Sequence, residues 1–227
     1  MIDLNLVVCI DKPIDWTSFD VVAKIRGILR AKTGEKKIKV GHSGTLDPIA
    51  TGVLPVFIGK ATKQIPLIEN HDKAYIAGFK LGISSNTQDI TGEIKEVSDR
   101  IVFQEELSEL LPKFTGEIEQ IPPMFSAIKV NGQRLYDLAR QGKEVERKSR
   151  KVNIFNLNLL SFDKNCGVLE IKCSKGTYIR TLINDLGEVL GCGAVMTSLV
   201  RTEACGFTLK DCISIGDFER DCNNRCF

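Results

Sequence analysis

The chain has 227 residues, with 31 basic and 29 acidic side chains and a net charge of +2, and it is 43% hydrophobic and 26% charged. That is globular composition at a length that accommodates one large domain, or a domain with a small appendage, and it excludes disordered and fibrous classes. The longest apolar runs, Leu4 to Ile10 and Val53 to Ile58, fall far short of the roughly 18 residues that span a bilayer and fit buried strands. The start, Met1-Ile2-Asp3, lacks the basic and long apolar regions of a secretory signal, so a cytoplasmic protein without membrane association is expected.

Leu4 to Ile10 reads as an opening strand that ends in the Asp11-Lys12-Pro13 turn. Thr17 and Asp20 then form a capping-box pattern ahead of a helical stripe, Val21, Val22, Ile25, Ile28 and Leu29, which stops near Thr33-Gly34. A short strand over Lys37 to Gly41 leads into the glycine-punctuated stretch Gly41 to Gly59. Tyr75, Ala77, Phe79 and Leu81 alternate with their neighbours at the period of a half-buried strand, and Asn86 to Gly92 is turn-rich. Phe103 to Phe114 has an amphipathic helical pattern with Leu107, Leu110 and Leu111 inward, and Ile121-Pro122-Pro123 interrupts regular structure. After a basic excursion with a short helical segment at Arg134 to Arg140, a strand starts at Val152, Ile154 and Phe155, with Gly167 to Cys173 as its antiparallel partner. Thr177 to Leu190 is helical in pattern through Ile179, Leu182, Ile183, Leu186 and Val189, with Gly191 at its stop. Gly193 to Leu209 is strand-rich, and the polar end at Asp221 to Arg225 is expected to fray. Strands outnumber helices without regular alternation, so the expected class is α+β, a mixed, largely antiparallel central sheet flanked by helices and loops.

The near-neutral total hides two cationic segments. Lys24 to Val40 carries seven basic residues against one acidic, +6, and Lys129 to Lys151 carries eight against three, +5, leaving −9 for the rest. Such segments suit a polyanion, although charge runs are also ordinary solvated faces. Eight cysteines contain no C-x-x-C pair and only two histidines accompany them, so free thiols are expected and no metal is assigned.

Chemistry concentrates in Gly41-His42-Ser43-Gly44-Thr45-Leu46-Asp47-Pro48. Gly44 permits positive φ and Pro48 biases Asp47 toward an extended backbone, which presents a carboxylate on a constrained loop; an Asx-turn between two strands accounts for the same residues. In Lys175-Gly176-Thr177-Tyr178-Ile179-Arg180, a strand ends and a helix begins. Arg180 there is either a partner that keeps a buried carboxylate ionised or a surface arginine of a first helical turn. Tyr75 is either a ring for stacking a base or a core tyrosine of its strand.

At these residues the chain resembles the TruB family of bacterial tRNA pseudouridine-55 synthases. The resemblance rests on DKPIDWTS, GHSGTLDPIATGVLPVFIGKATK, IEQIPPMFSAIKVNGQRLYDLARQG and KGTYIRTLINDLGEVLGCGA, blocks in the family's order that cover most of Val7 to Phe207. It implies the pseudouridine synthase fold and a reaction without cofactor, in which the glycosidic bond of a uridine in the tRNA T stem-loop breaks and the uracil is rejoined through C5. The family's catalytic aspartate corresponds to Asp47, which acts ionised whether it attacks C1′ or removes the 2′ proton. The resemblance pairs Arg180 with Asp47, stacks Tyr75 under the flipped base as a candidate proton acceptor, and lines the pocket with Tyr178 and Leu199. His42 corresponds to the histidine beside the everted nucleotide, which must leave the stack to be reached.

The segment from about Ile121 to Lys151 matches an RNA-clamping thumb, with Lys129 and Arg140 as its main phosphate contacts and Lys148 and Arg150 as further RNA-binding residues. A catalytic domain over 1–218, a polar tail over 219–227 and a monomer are expected. Asp15 replaces a glycine frequent in the family, Ser85-Asn86-Thr87 replaces Thr-Asp-Thr and weakens any role for that turn, and the chain ends where relatives often continue into a PUA-type RNA-binding domain. That end implies fewer contacts to tRNA outside the T arm and weaker affinity with intact chemistry. The competing functions are a tRNA-binding folding factor and the same chemistry on another RNA stem-loop.

Overall fold

The computed structural model describes residues 5–68, 71–130 and 132–224, so Leu4, Arg225 and Cys226 of the segments above lie outside the described residues. In chain order the elements are β1 (Leu6–Lys12), α1 (Ser18–Thr33), β2 (Val40–His42), β3 (Ala50–Ile58), β4 (Lys73–Leu81), β5 (Ile83–Ser85), β6 (Ile94–Glu96), α2 (Gln104–Leu110) and β7 (Gly116–Gln120). They continue with β8 (Lys129–Val130), β9 (Gln133–Arg134), α3 (Leu135–Arg140), β10 (Arg150–Asp163), β11 (Cys166–Cys173), α4 (Ile179–Val189), β12 (Ala194–Ala204), β13 (Phe207–Thr208), β14 (Cys212–Ile213) and α5 (Ile215–Asn224). The class is α+β with mixed, largely antiparallel strand pairing, as the strand and helix periods predict. Two compact units divide the chain, Met1–Tyr75 with Leu199–Phe227, and Ile76–Ser198, with boundaries inside β4 and β12.

In the first unit, Thr17 Oγ1 accepts from the Asp20 N–H at 3.0 Å while the Asp20 carboxylate accepts from the Thr17 N–H at 2.9 Å, the reciprocal cap that starts α1. The predicted stripe of α1 is buried in one cluster with Ile10, Leu54, Val56 and Ile58. β3 pairs antiparallel with β1, from Leu6↔Ile58 to Lys12↔Gly52, and parallel with β12, from Leu199↔Ala50 to Arg201↔Gly52. Gly52 is therefore flanked in register by Lys12 and Arg201, two cations that are both 0% exposed. The expected fraying after Asp221 is corrected. α5 continues to Asn224, and Phe218 and Cys222 are buried in the same cluster as α1. Ser214 Oγ caps the Asp217 N–H at 3.0 Å, a start signal three residues apart that the polar composition obscured. α5 also engages part of the first basic segment, since Lys24 pairs with Glu219 at 3.5 Å and Lys32 donates to the Asn223 carbonyl at 3.1 Å.

In the second unit, β11 and β7 flank β10 antiparallel, with Leu157↔Ile171 and Val152↔Ile118 among the pairs. Phe155, unpaired at the slip between Ile154 and Asn156 and adjacent to inward Ile154, is 46% exposed, so this residue of the predicted strand start lies outside the core. The helix expected over Phe103 to Phe114 ends its regular part at Leu110 and tightens into a 3-10 turn over Leu111–Phe114, because Pro112 has no N–H to continue the ladder. Leu107, Leu110 and Leu111 are inward as expected. α4 buries Ile179, Leu182, Ile183 and Leu186, but Val189 is 62% exposed; the stripe ends one turn early and Leu190, at the C-cap, takes the inward place.

Candidate active site

Asp47 belongs to the loop between β2 and β3 of the first unit, and neighbouring groups fix that loop on several sides. The buried Ser18 Oγ accepts from the Leu46 N–H at 2.8 Å, and the Asp47 carbonyl accepts from the Ala50 N–H at 3.0 Å. The Pro48 carbonyl accepts from the Asp15 N–H at 2.9 Å and from Lys12 Nζ at 3.2 Å. Asp15 has φ of 64°, so the aspartate standing at the family's glycine adopts the left-handed backbone that its side chain tolerates better than most. Gly44 has φ of +82°, a left-handed backbone that favours glycine, and a Cβ there would lie 3.2 Å from Lys73 Cε and 3.4 Å from an Arg201 guanidinium nitrogen.

Lys12 spends its three N–H bonds on the carbonyls of Pro13 at 2.7 Å, Trp16 at 2.6 Å and Pro48 at 3.2 Å. Burial pushes its pKa down to about 8, while the carboxylates of Asp47 and Asp15 pull it back up. Arg201 donates through Nε to the Val53 carbonyl at 2.7 Å and through Nη2 to the Gly44 carbonyl at 3.1 Å. His42, at the end of β2, is half-buried, and burial first and the Arg201 charge second hold its pKa below the ordinary imidazole value, which favours the neutral ring at pH 7. Tyr75 is buried in β4, and Leu199 is buried in β12 opposite Ala50. His42, Asp47, Tyr75 and Leu199 thus belong to the first unit. Lys12 and Arg201 were not assigned roles from the sequence, although Lys12 lies inside the quoted DKP motif.

Arg180 belongs to the second unit, in the first turn of α4, and is 4% exposed, which excludes the surface reading. Its guanidinium donates to the Thr87 carbonyl at 2.8 Å and the Phe125 carbonyl at 2.9 Å, and Nε lies 3.7 Å from Asp89 Oδ2. Asp89 is itself buried, and its Oδ1 accepts from Thr87 Oγ1 at 2.8 Å, the Thr91 N–H at 3.0 Å and Thr91 Oγ1 at 2.5 Å. The turn that carries Ser85-Asn86-Thr87 in place of Thr-Asp-Thr thus supplies two of these contacts to the arginine. The overlooked signal is Thr87-x-Asp89-x-Thr91, an acid whose carboxylate accepts the N–H two residues on, an Asx-turn, with a threonine hydroxyl on each side donating to the same oxygen.

Tyr178 occupies the N-cap of α4, with its N–H donating to Gln120 Oε1 at 3.0 Å and its carbonyl accepting from Gln120 Nε2 at 3.2 Å. The Arg150 guanidinium lies 4.5 Å from the Tyr178 ring centroid and donates to the Gly176 carbonyl. Lys129 on β8 and Lys148 before β10 are exposed, and Arg140, at the end of α3, lies 5.6 Å from the Tyr136 ring. Of the four cations expected to meet RNA, Arg150 is the one that is half-buried, held on Tyr178 and Gly176. Among the described residues, no group of three or more His, Cys, Asp or Glu side chains could hold a metal ion, and no helix is long and apolar enough to cross a membrane.

Residues 27–179 match the profile of the TruB family pseudouridylate synthase N-terminal domain, which defines the class of protein, and residues 180–224 match that of the tRNA pseudouridylate synthase B C-terminal domain. Among curated relatives, tRNA pseudouridine synthase B of Phocaeicola vulgatus is 48% identical over 93% of this chain and 91% of its own length. The protein of that name from Pseudomonas aeruginosa is 46% identical over 94% of this chain and 68% of its own. In a solved Cbf5-Nop10-Gar1 complex, a chain 30% identical superposes with a TM-score of 0.73 over 96% of this chain, and this chain spans 54% of that one. A chain of an H/ACA RNP bound to a substrate RNA containing 2'-deoxyuridine is 27% identical, with a TM-score of 0.69 over 96% of this chain and 53% of its own length. The chain belongs to the TruB family of pseudouridylate synthases.

Proposed function

We propose that this protein isomerises uridine to pseudouridine in tRNA, at position 55 of the T loop, acting as a monomer in the cytoplasm. The observation that carries the proposal is Asp47 on a loop held by Lys12, Ser18 and Arg201, inside the GxLDP pattern of a chain that belongs to the TruB family. In the reaction the bond between ribose C1′ and uracil N1 breaks, the uracil turns, and a bond from C1′ to C5 forms while the C5 proton moves to N1. Atoms and electrons balance without a redox partner or water. Asp47 acts as the carboxylate, and both routes considered for it, attack at C1′ and removal of the 2′ proton, need that ionised form. Unlike glycoside hydrolysis, the reaction needs no second carboxylate to activate water.

His42 and Tyr75 serve the everted nucleotide, Leu199 and Tyr178 line its surroundings, and Arg180 is the cation assigned to the same reaction. Exposed Lys129, Arg140 and Lys148 supply phosphate contacts on the T stem-loop. Incubation with unmodified tRNA transcript followed by chemical mapping tests the reading. Pseudouridine at the T-loop position is expected with the wild type and none with Asp47→Asn. Refolding of tRNA without any modified uridine would replace the enzyme by a folding factor, and preference for another stem-loop in competition would replace the substrate.

A further inference from the structure

Residues 121–149 form an excursion between β7 and β10, and its two ends face each other, since Gln120 and Arg150 are Cα partners in the register of those strands. Both side chains reach the same short segment. Gln120, 0% exposed, spends its amide on the backbone of one residue, accepting from the Tyr178 N–H and donating to the Tyr178 carbonyl. Arg150 covers the ring of that tyrosine and donates to the Gly176 carbonyl. A third tie starts from the neighbouring helix turn, where Arg180 donates to the carbonyl of Phe125, inside the excursion. Arg147 donates to the Pro122 carbonyl at 3.2 Å and closes the excursion across its root.

A buried amide costs free energy unless bonded, and an apolar residue would fill the Gln120 site without that requirement. The amide matches two backbone groups of a helix start that has no side-chain cap of its own. Arg150 likewise stacks its planar fork on an aromatic face, which lysine cannot reproduce.

We propose that Gln120 and Arg150 are positioning residues that tie the root of the 121–149 excursion to Tyr178 and, two residues on, to Arg180, so that the pose of these residues follows the state of the excursion. Engagement of RNA by the excursion then acts on the chemical step as well as on affinity. The inference rests on the proposed function for its catalytic consequence, while the structural tie stands without it.

The test uses full-length Gln120→Met, which removes both amide bonds at similar length, and Arg150→Lys, which keeps the charge. Single-turnover rates at saturating tRNA, tRNA affinity and amide exchange of the 176–181 segment are measured together. A loss of alignment at this level is expected to lower the single-turnover rate by about tenfold or more, with affinity changed less than about threefold. Exchange at Tyr178 is expected to accelerate in Gln120→Met, and more modestly in Arg150→Lys. A weaker affinity with an unchanged rate in Arg150→Lys would make Arg150 a phosphate contact and overturn the proposal, as would unchanged exchange in both variants. Where Gln120→Met fails to fold, Arg150→Lys carries the test. A wild type that makes no pseudouridine would refute the proposed function, and the exchange measurement would then decide the tie alone.

Discussion

Lys12 Nζ donates to the Pro48 carbonyl at 3.2 Å, so a fully buried cation grips the loop one residue beyond Asp47. Replacing it by methionine removes the shared donor of the Pro13, Trp16 and Pro48 carbonyls, and the expected loss is about 2–4 kcal/mol of unfolding free energy. Denaturant unfolding reads the stability. Turnover on tRNA should fall further than the fraction folded explains, because the loop that carries Asp47 loses a point of attachment.

The same lysine gives a pH dependence with a definite sign. Burial lowers its pKa from 10.5 to about 8 in the folded protein. Between these values the unfolded chain binds the extra proton, so the contribution of Lys12 to stability rises with pH across that window. Below it both states carry the charge and the desolvation penalty is felt in full. The stability of wild type relative to Lys12→Met is therefore expected to improve from pH 8 upward, and a pH-independent difference would show that burial does not depress this group.

Gly52 lies between Lys12 and Arg201 in register, and its φ is +96°. A Cβ there would sit 2.3 Å from the Arg201 carbonyl oxygen, a backbone atom that cannot swing aside. Gly52→Ala is expected to cost more than the roughly 1–3 kcal/mol of backbone strain alone. Gly27, within α1, has nothing within 4 Å of its added Cβ, and Gly27→Ala should stabilise by about 0.5–1 kcal/mol. Thermal unfolding of the pair separates close approach from a general intolerance of glycine replacement.

The legible parts of this fold are those written in local periodicity. The Thr17-Asp20 cap recurs as a reciprocal pair of hydrogen bonds, and the α1 stripe and the alternation from Tyr75 to Leu81 recur in the burial pattern. Periodicity does not mark where a helix stops being covered, which is why Val189 continues the stripe yet faces outward, and the polar surface of α5 hides a Ser214-Asp217 cap with two inward residues. At the candidate site, the loop constraint on Asp47 was visible through Gly44 and Pro48, whereas Lys12 and Arg201 were not. Their placement depends on strand register, which brings residues 12, 52 and 201 side by side and has no local signature. Arg150 was read by charge alone, and its cross-strand position opposite Gln120 likewise emerges only from pairing.

Asp89 gathers Thr87, Thr91 and Arg180 around one buried carboxylate. Asp89→Ala takes the carboxylate from beside the buried Arg180 and removes the acceptor that half-buried Thr87 and exposed Thr91 share, at an expected cost of about 1–3 kcal/mol. Asp89→Asn retains an acceptor and should cost less. Both are expected to lower turnover, since the Thr87 carbonyl that orients Arg180 belongs to the same turn. Stability measured by denaturant and single-turnover rate, taken on the same preparations, should rank Ala below Asn in each.

Binding of RNA by Lys129, Arg140 and Lys148 predicts a salt-dependent affinity, because each phosphate neutralised releases condensed counterions. These side chains are exposed, so charge reversal at Lys148 should leave the fold intact. Affinity for tRNA is expected to fall with rising salt in the wild type. In Lys148→Glu affinity should drop more than turnover, and the logarithmic salt slope should become shallower by about one contact. Arg150→Glu should behave differently, since its guanidinium covers Tyr178 and holds the Gly176 carbonyl. Its turnover should fall alongside its affinity. Equal salt slopes in wild type and Lys148→Glu would remove Lys148 from the RNA contact, and a flat wild-type slope would remove the whole cationic segment.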